Sequence, residues 1–289
     1  MSTIDRVVRP NFILAVKKFV ALLLLAAPSY GFAQTGAPAN STLAKQTVPE
    51  NENSRKARAL LRQMIQTMGG SAYLDVRTME QEGRTYSYYN GQPNSLGTPF
   101  WRFWEFPDKE RIEVTKQRDI VYINVGDQGY EKTYKGVAPM EPEQLHDYQR
   151  RHEHSLENVL RVWLPDPTTA LFYDGPAVAE QKPCDSVTLF NAKNDAVTIF
   201  IDTNRHLPVK KTFQWRDPAD NLKNLEGEVY DNWRLEQGIM TPHTILRAHN
   251  GDTTNQRFLT SVKYNPPLPD SMFDVSVTYD PYKKSGPRQ

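Results

Sequence analysis

The sequence predicts an α+β protein, with one large antiparallel sheet that carries helices on one face. Apolar and polar residues alternate at a period of two over residues 73–136, and the pattern returns for about a hundred residues beyond Pro167. Tight turns such as Asn90-Gly91 separate the strand-like runs, as in hairpins, whereas parallel strands would need long crossovers. A helical region at 142–163 interrupts the strands. These patterns predict roughly ten or eleven strands and two helices.

The composition excludes several classes of protein. The chain has 289 residues, of which 38% are hydrophobic and 24% charged, and its net charge is +1. Because this charge is close to zero, we expect no nucleic acid partner. A mean hydropathy of −0.64 does not suit an integral membrane protein with several spans. Cys184 is the single cysteine, which excludes an intramolecular disulfide framework and a Cys-rich zinc site.

The N-terminal residues predict a secretory signal peptide over residues 1–33. Four basic residues precede an apolar run at 19–27, and Gly31-Phe32-Ala33 places small residues where a signal peptidase reads them. The alternative is a membrane anchor, but this run is well short of the ~20 residues needed to span a bilayer. The cleavage site has no cysteine for lipid attachment. We therefore expect a soluble periplasmic protein that is not lipid-anchored.

A single domain is predicted over residues 53–280. Residues 34–52 lack apolar periodicity and read as a flexible linker, and residues 281–289 read as a polar tail. An amphipathic helix opens the domain, with Asn53 or Ser54 as its expected N-cap and Gly69-Gly70 as its exit.

Several predicted strands are apolar on both faces, notably 100–106 and 197–201. Either the sheet is curved and lines an apolar cavity, or helices and loops cover both of its faces, and periodicity does not separate the two. Six aromatic residues are candidates to line such a cavity, with ordinary core packing as the alternative: Trp101, Phe103, Trp104, Phe200, Phe213 and Trp215. Arg102 and Arg111 lie between apolar neighbours, so each could bind a ligand headgroup or form an internal ion pair.

The sequence carries no recognisable catalytic motif. It lacks a nucleophile elbow, a P-loop and a dinucleotide fingerprint. His152-Glu153-His154 places its histidines two residues apart, whereas a helical metal site needs them four apart, so these residues read as a polar helix face. We therefore expect a protein that is not an enzyme and binds no metal or cofactor.

Three phrases near the C-terminus suggest a family. They are D-x-x-x-x-L-P at 202–208, G-x-x-x-P at 238–242 and N-x-x-L-x-D-x-x-F at 265–273. With the opening helix and the strand order, they make residues 53–275 resemble the outer-membrane lipoprotein-sorting superfamily. The resemblance implies an unclosed antiparallel β-barrel, or half-barrel, with helices covering its concave apolar face.

The resemblance also implies a function. The chain would be a periplasmic carrier of lipids or lipidated proteins, sheltering their acyl chains between membrane-associated donor and acceptor proteins without a cofactor. We expect a monomer. Two alternatives stay open: an envelope sensor or protein-binding module on the same fold, and a secreted hydrolase. The hydrolase would require His206, His243 or His249 to meet a carboxylate and a hydroxyl.

Overall fold

The computed structural model describes residues 50–282. The predicted signal peptide, residues 34–49 of the predicted linker and residues 283–289 of the predicted tail lie outside the described residues. Within the described range, no helix combines the length and the apolar character needed to cross a bilayer.

The described chain forms one antiparallel sheet with helices before and within the strand series. Its helices are α1 (Glu52–Met68), α2 (Ser71–Leu74), α3 (Pro142–Glu153) and α4 (Leu156–Asn158), which continues as a π-helical turn (Val159–Trp163). Its strands are β1 (Thr78–Tyr89), β2 (Gln92–Pro93), β3 (Thr98–Glu105), β4 (Lys109–Val114), β5 (Ile120–Val125), β6 (Gln128–Thr133), β7 (Gly136–Pro139), β8 (Ala170–Ala179), β9 (Lys182–Phe190), β10 (Ala196–Asp202), β11 (Pro208–Arg216), β12 (Lys223–Glu236), β13 (Ile239–His249) and β14 (Asp252–Tyr264).

Two meanders make up the sheet. The first runs β1-β3-β4-β5-β6-β7 and the second β8 to β14, and the pairing of β1 with β14 joins them. Among the strands of residues 50–282, β7 and β8 are the two edges, so the sheet that these residues form does not close into a complete barrel. The prediction of an antiparallel, unclosed sheet with helices is confirmed at this level.

The predicted count of ten or eleven strands is wrong, because the described chain forms a sheet of 14 strands. The three missed strands are β2, β7 and β8, and each contains a proline. Proline has no amide hydrogen to donate to a strand ladder, so it argues against a central strand but is tolerated where one side of a strand is unpaired. In β8 the additional signal is Asp174-Gly175-Pro176, which resembles a turn but forms a bulge against β9.

Helix α1 begins earlier than predicted. Asn51 is its N-cap: the Asn51 side chain accepts from the Ser54 amide, and the Ser54 hydroxyl accepts from the Asn51 amide. This reciprocal pair is a capping box in which serine replaces the usual glutamate. The prediction of Asn53 or Ser54 as the cap is therefore wrong by two or three residues.

The main core lies between the helices and one face of the sheet, which we call the inner face. Leu61 and Met64 of α1 and Trp163 of the π-helical turn pack in one buried cluster with Val187 and Ile199 from the inner face of the second meander. The apolar stripe predicted for α1 thus points into the sheet. Burial of these side chains is the main driving force that holds helices to strands.

A C-terminal strap, residues 265–282, covers the other, outer face of the first meander. The Arg111 guanidinium donates to the Met272 carbonyl at 3.0 Å, and Thr278 exchanges hydrogen bonds with both backbone groups of Val137 on β7. Phe273 of the strap is buried, as is Phe103 on the outer face of β3. Strand β3 is therefore apolar on both faces because each face is covered.

The edge strand β8 is contacted by the first turn of α1. The Asn53 side-chain amide donates to the Tyr173 carbonyl at 2.8 Å, and its oxygen accepts from the Tyr173 amide at 2.8 Å. Asn53 thus satisfies both backbone groups of an edge residue that has no strand neighbour on that side.

Gly83 is required where β1 meets β14. The ladder shifts register between Glu82 and Gly83, and a Cβ at Gly83 would lie 2.2 Å from the Phe258 carbonyl oxygen. Backbone atoms cannot retreat as a flexible side chain can. By contrast, a Cβ at Gly227 in β12 would meet its nearest neighbour at 3.7 Å, an ordinary contact.

We expect Gly83→Ala to lower the free energy of unfolding by about 1–3 kcal/mol, because the extra methyl group forces the two strands apart. Gly227→Ala is the matched control, and its effect should stay within about 0.5 kcal/mol. Urea unfolding followed by circular dichroism measures both. An equal loss of unfolding free energy in the two variants would contradict the close approach of β1 and β14 at Gly83.

Candidate ligand-binding cavity

A cavity of about 260 Å³ lies between the inner face of the sheet and the helices α3 and α4. Its floor comes from both meanders, because β1 and β14 pair at its centre. Its roof is formed by one side of α3, including Gln144, Tyr148 and Arg151, and by Leu156 and Glu157 of α4.

One end of the cavity is apolar. Met79 on β1 pairs in register with Trp104 on β3 and with Tyr264 on β14, so these side chains form one row across the sheet. Further apolar side chains close this end: Met68, Val76 and Met240. The Tyr264 hydroxyl is satisfied by Thr241 Oγ1 at 2.7 Å, which leaves the ring as the surface presented to the cavity.

The other end is charged. Thr85 is the register partner of Arg257, six residues along β1 from Met79, which corresponds to about 20 Å at ~3.3 Å per residue. Arg247 lies on the neighbouring strand, diagonally across from Arg257. The charged side chains and histidine that line this end are Arg102, Glu110, Arg151, His152, Glu228, Arg247 and Arg257, while Glu157 and Arg161 line the cavity near the apolar end.

Two carboxylates at the charged end are held by cations. Arg102 forms an ion pair with Glu110, and Glu228 lies 2.9 Å from Arg247 Nε and 3.2 Å from Lys211 Nζ. Burial alone would raise the pKa of both carboxyl groups, but these cations outweigh it and hold both pKa values below the usual range. Both carboxylates are therefore ionised at neutral pH.

Helix α3 covers the cavity without burying any of its own side chains completely. Polar contacts hold it in place. Gln149 donates to the Asp127 carbonyl at 2.8 Å, the Arg150 guanidinium lies 3.5 Å above the Trp215 ring, and Lys211 Nζ donates to the His154 carbonyl at 2.7 Å. Helix α3 therefore contributes less to the apolar core than α1, several of whose side chains are buried.

Arg161 separates the cavity from a surface groove of about 700 Å³. Its guanidinium donates to the carbonyls of Val76 and Tyr73 at 2.7 and 2.5 Å and lies 5.1–5.6 Å from the centres of three aromatic rings. The floor of the groove is apolar and consists of Ile65, Leu74, Phe106, Leu160, Leu164 and Pro165. Its rim consists of four arginines, Arg58, Arg62, Arg77 and Arg161.

Of the residues proposed from sequence, Trp104 and Arg102 line the cavity. Phe213 and Trp215 are on the inner face but pack beneath the end of α3, against His154 and Arg150. Phe200 packs in a separate small cluster with Cys184. Trp101 lies 3.9 Å beneath the Arg118 guanidinium, and Phe103 and Arg111 are on the outer face. Ligand contact by any of these residues stays a prediction.

Arg247, Arg257, Glu110 and Glu228 were missed by the sequence reasoning. A signal was present for Arg257, because Leu259 is a buried core residue two positions along the same strand and therefore shares its face. A charged residue in line with a core residue is unusual enough to mark a cavity wall. The alternation of apolar and polar residues along single strands does not predict that side chains from four different strands converge.

The histidines do not assemble a hydrolytic site in the described part of the chain. His243 Nε2 lies 2.9 Å from Glu236 and His249 Nδ1 lies 2.8 Å from Glu226, but neither ring hydrogen bonds to a hydroxyl there. His206 has no side-chain hydrogen bond within residues 50–282. No group of three metal-ligating side chains converges among these residues either.

The fold is shared with solved structures of the type that the sequence suggested. A DUF1329 family protein from Desulfovibrio piger aligns with a TM-score of 0.54 and 12% identity, over 78% of this chain and 98% of that one. A putative outer membrane lipoprotein-sorting protein domain from Vibrio parahaemolyticus aligns with a TM-score of 0.50 and 8% identity, over 77% and 97%. The resemblance to the lipoprotein-sorting superfamily is therefore confirmed at the level of the fold.

The sequence comparisons are negative: no family model matches the chain, and no curated protein matches it.

We expect Arg161→Lys to lower the free energy of unfolding by about 1–3 kcal/mol. An ammonium group cannot reach both carbonyls while stacking on the surrounding rings, so a buried acceptor would lose its partner. Arg62→Lys, on the rim of the same groove but exposed, is the control and should leave stability unchanged within about 0.5 kcal/mol. Thermal and urea unfolding measure both. An unchanged Arg161→Lys variant would show that the two carbonyl contacts do not anchor the π-helical turn.

Proposed function

We propose that this protein is a periplasmic carrier that binds a lipid or a lipidated protein and catalyses no reaction on it. The acyl chain would occupy the space between the inner face of the sheet and α3, with its end in the apolar row formed by Met79, Trp104 and Tyr264. A single observation carries this function: an elongated internal cavity with an apolar end, beneath a helix that is held mainly by polar contacts.

Burial of an acyl chain supplies the binding free energy. Each methylene transferred from water contributes ~0.8 kcal/mol, so a chain of ten carbons in this cavity would offset the cost of association. The fold shared with a putative lipoprotein-sorting domain supports the same class of ligand. The signal peptide predicted from residues 1–33 supports a periplasmic location.

The volume of the cavity indicates how binding would occur. About 260 Å³ falls slightly below the ~300–1,000 Å³ typical of small-molecule sites. A long acyl chain would therefore enter only as α3 moves away from the sheet. Since α3 has no fully buried side chain, this movement exposes little core. Hydrogen exchange of α3 amides should be faster than that of α1 and should slow down when ligand binds.

The first experiment is native mass spectrometry of the protein purified from the periplasm without detergent, followed by organic extraction. A bound amphiphile of defined mass supports the carrier function and identifies the cargo. A clean ligand-free mass that stays unchanged after incubation with envelope lipids would overturn it and would favour the protein-binding module.

Ile245→Phe should weaken the binding of a neutral apolar probe, N-phenylnaphthylamine, by about tenfold or more, because the larger ring fills the middle of the cavity. Leu246→Phe is the matched control: the change in size is similar, but the adjacent residue of the strand points to the other face. Probe fluorescence measures the dissociation constants, and circular dichroism verifies that both variants are folded. Equal affinities of the two variants would place the probe outside the cavity.

A further inference from the structure

We propose that the ligand is an acidic amphiphile whose carboxylate or phosphate binds between Arg257, Arg247 and Arg151 at the charged end of the cavity. This inference rests on the proposed function and specifies the chemical class of its ligand. It would place the headgroup about 20 Å along β1 from the apolar row, on the scale of an extended acyl chain.

The charged end carries more positive than negative charge. Four arginines line this end, Arg102, Arg151, Arg247 and Arg257, against two glutamates, Glu110 and Glu228. Arg257 and Arg247 face it from β14 and β13, where they are diagonal neighbours, typically ~7–8 Å apart. Arg151 approaches from α3 above them, and its guanidinium lies 3.7 Å from the Asp147 carboxylate of the same helix. Three guanidinium groups from three elements therefore converge on one region.

The carboxylates in this region are already engaged. Glu228 serves both Lys211 and Arg247 and accepts a hydrogen bond from the Tyr230 hydroxyl at 3.0 Å. Glu110 pairs with Arg102. Lys211 is only 2% exposed, so its buried ammonium group depends on the ion pair with Glu228. The Glu228 carboxylate therefore cannot compensate the charge of further cations.

Among the cavity arginines in residues 50–282, Arg257 is the one whose side chain has neither an ion-pair nor a hydrogen-bond partner. Among residues 50–282, no carboxylate lies within ion-pair distance of its guanidinium, and its side chain donates no hydrogen bond to a protein acceptor. Its nearest aromatic ring is Phe100, 5.7 Å from the guanidinium carbon. A half-buried guanidinium with free donors that point into a cavity is a typical carboxylate or phosphate ligand.

The electrostatics favour an anion at this position. Desolvation, followed by the charges of Arg247 and Arg102, lowers the pKa of Arg257 to about 9. Desolvation and Arg247 also lower the pKa of Arg151. Arginine remains protonated at neutral pH, so both groups hold their charge at a cost that a bound anion would relieve.

The test measures how the delipidated protein binds myristate, myristyl alcohol and acetate, with tryptophan fluorescence as the signal. Wild type should bind myristate at least about tenfold more tightly than myristyl alcohol, because the alcohol has the same chain but no charge. Acetate should bind far more weakly than myristate. Arg257→Gln should abolish the preference for myristate over the alcohol.

Arg234→Gln is the matched control, since it removes the same charge from an exposed position on β12. It should retain the preference. If Arg257→Gln folds poorly, Arg151→Gln on the surface helix α3 serves as a second cavity variant. It should reduce the preference for myristate over myristyl alcohol by several-fold. Arg257→Gln should also raise the melting temperature of the ligand-free protein, whereas a purely structural arginine would lower it when replaced.

The outcomes separate the two proposals. Equal binding of myristate and myristyl alcohol, or an unchanged preference in Arg257→Gln and Arg151→Gln, overturns the anion site but leaves the carrier function standing. Acetate binding as tight as that of myristate would assign the arginines to a small free anion and overturn the amphiphile. Failure of both amphiphiles to bind would overturn the carrier function together with this inference.

Discussion

The pairing of β1 with β14 is the constraint on which the rest of the molecule depends. Register partners such as Met79 and Tyr264 are about 185 residues apart in the chain, yet they bring two separate meanders into one sheet. Without this ladder the cavity would lose half of its floor, because the floor is built from both meanders. Gly83 permits the close approach of the strands at the register shift. Because the closure is so non-local, it is expected to form late and slowly during folding.

Much of the fold was accessible from sequence because it depends on local signals. Period-two alternation located eleven of the strands, and Asn90-Gly91 correctly marked the turn at the end of β1, where both residues adopt positive φ. The three missed strands share one feature, which is that each pairs with a neighbour on one side only among the described strands. In β2, β7 and β8 a proline or glycine is tolerated because one side of the strand is free, and local propensity does not register which strands lie at an edge.

The cavity was less accessible, because it depends on faces and registers. Trp104 and Arg102 were proposed from a strand that is apolar on both sides, but the same argument also selected Phe103 and Trp101 on the other face. The C-terminal strap explains the ambiguity: its Phe273 is buried on the outer side, so both faces of β3 read as core. Arg257 and Glu228 meet only because β11 to β14 are stacked in a particular register, and no local pattern encodes that.

The clamp of Asn53 on Tyr173 has a consequence for how the protein behaves towards copies of itself. An unclosed sheet normally offers two rows of free amide and carbonyl groups, each a template for a strand from another molecule. Here Asn53 occupies both groups of Tyr173, Pro176 removes a donor further along β8, and Thr278 occupies both groups of Val137 at the opposite edge. An added strand would find these backbone groups already hydrogen bonded, which opposes edge-to-edge pairing at both edges of the sheet.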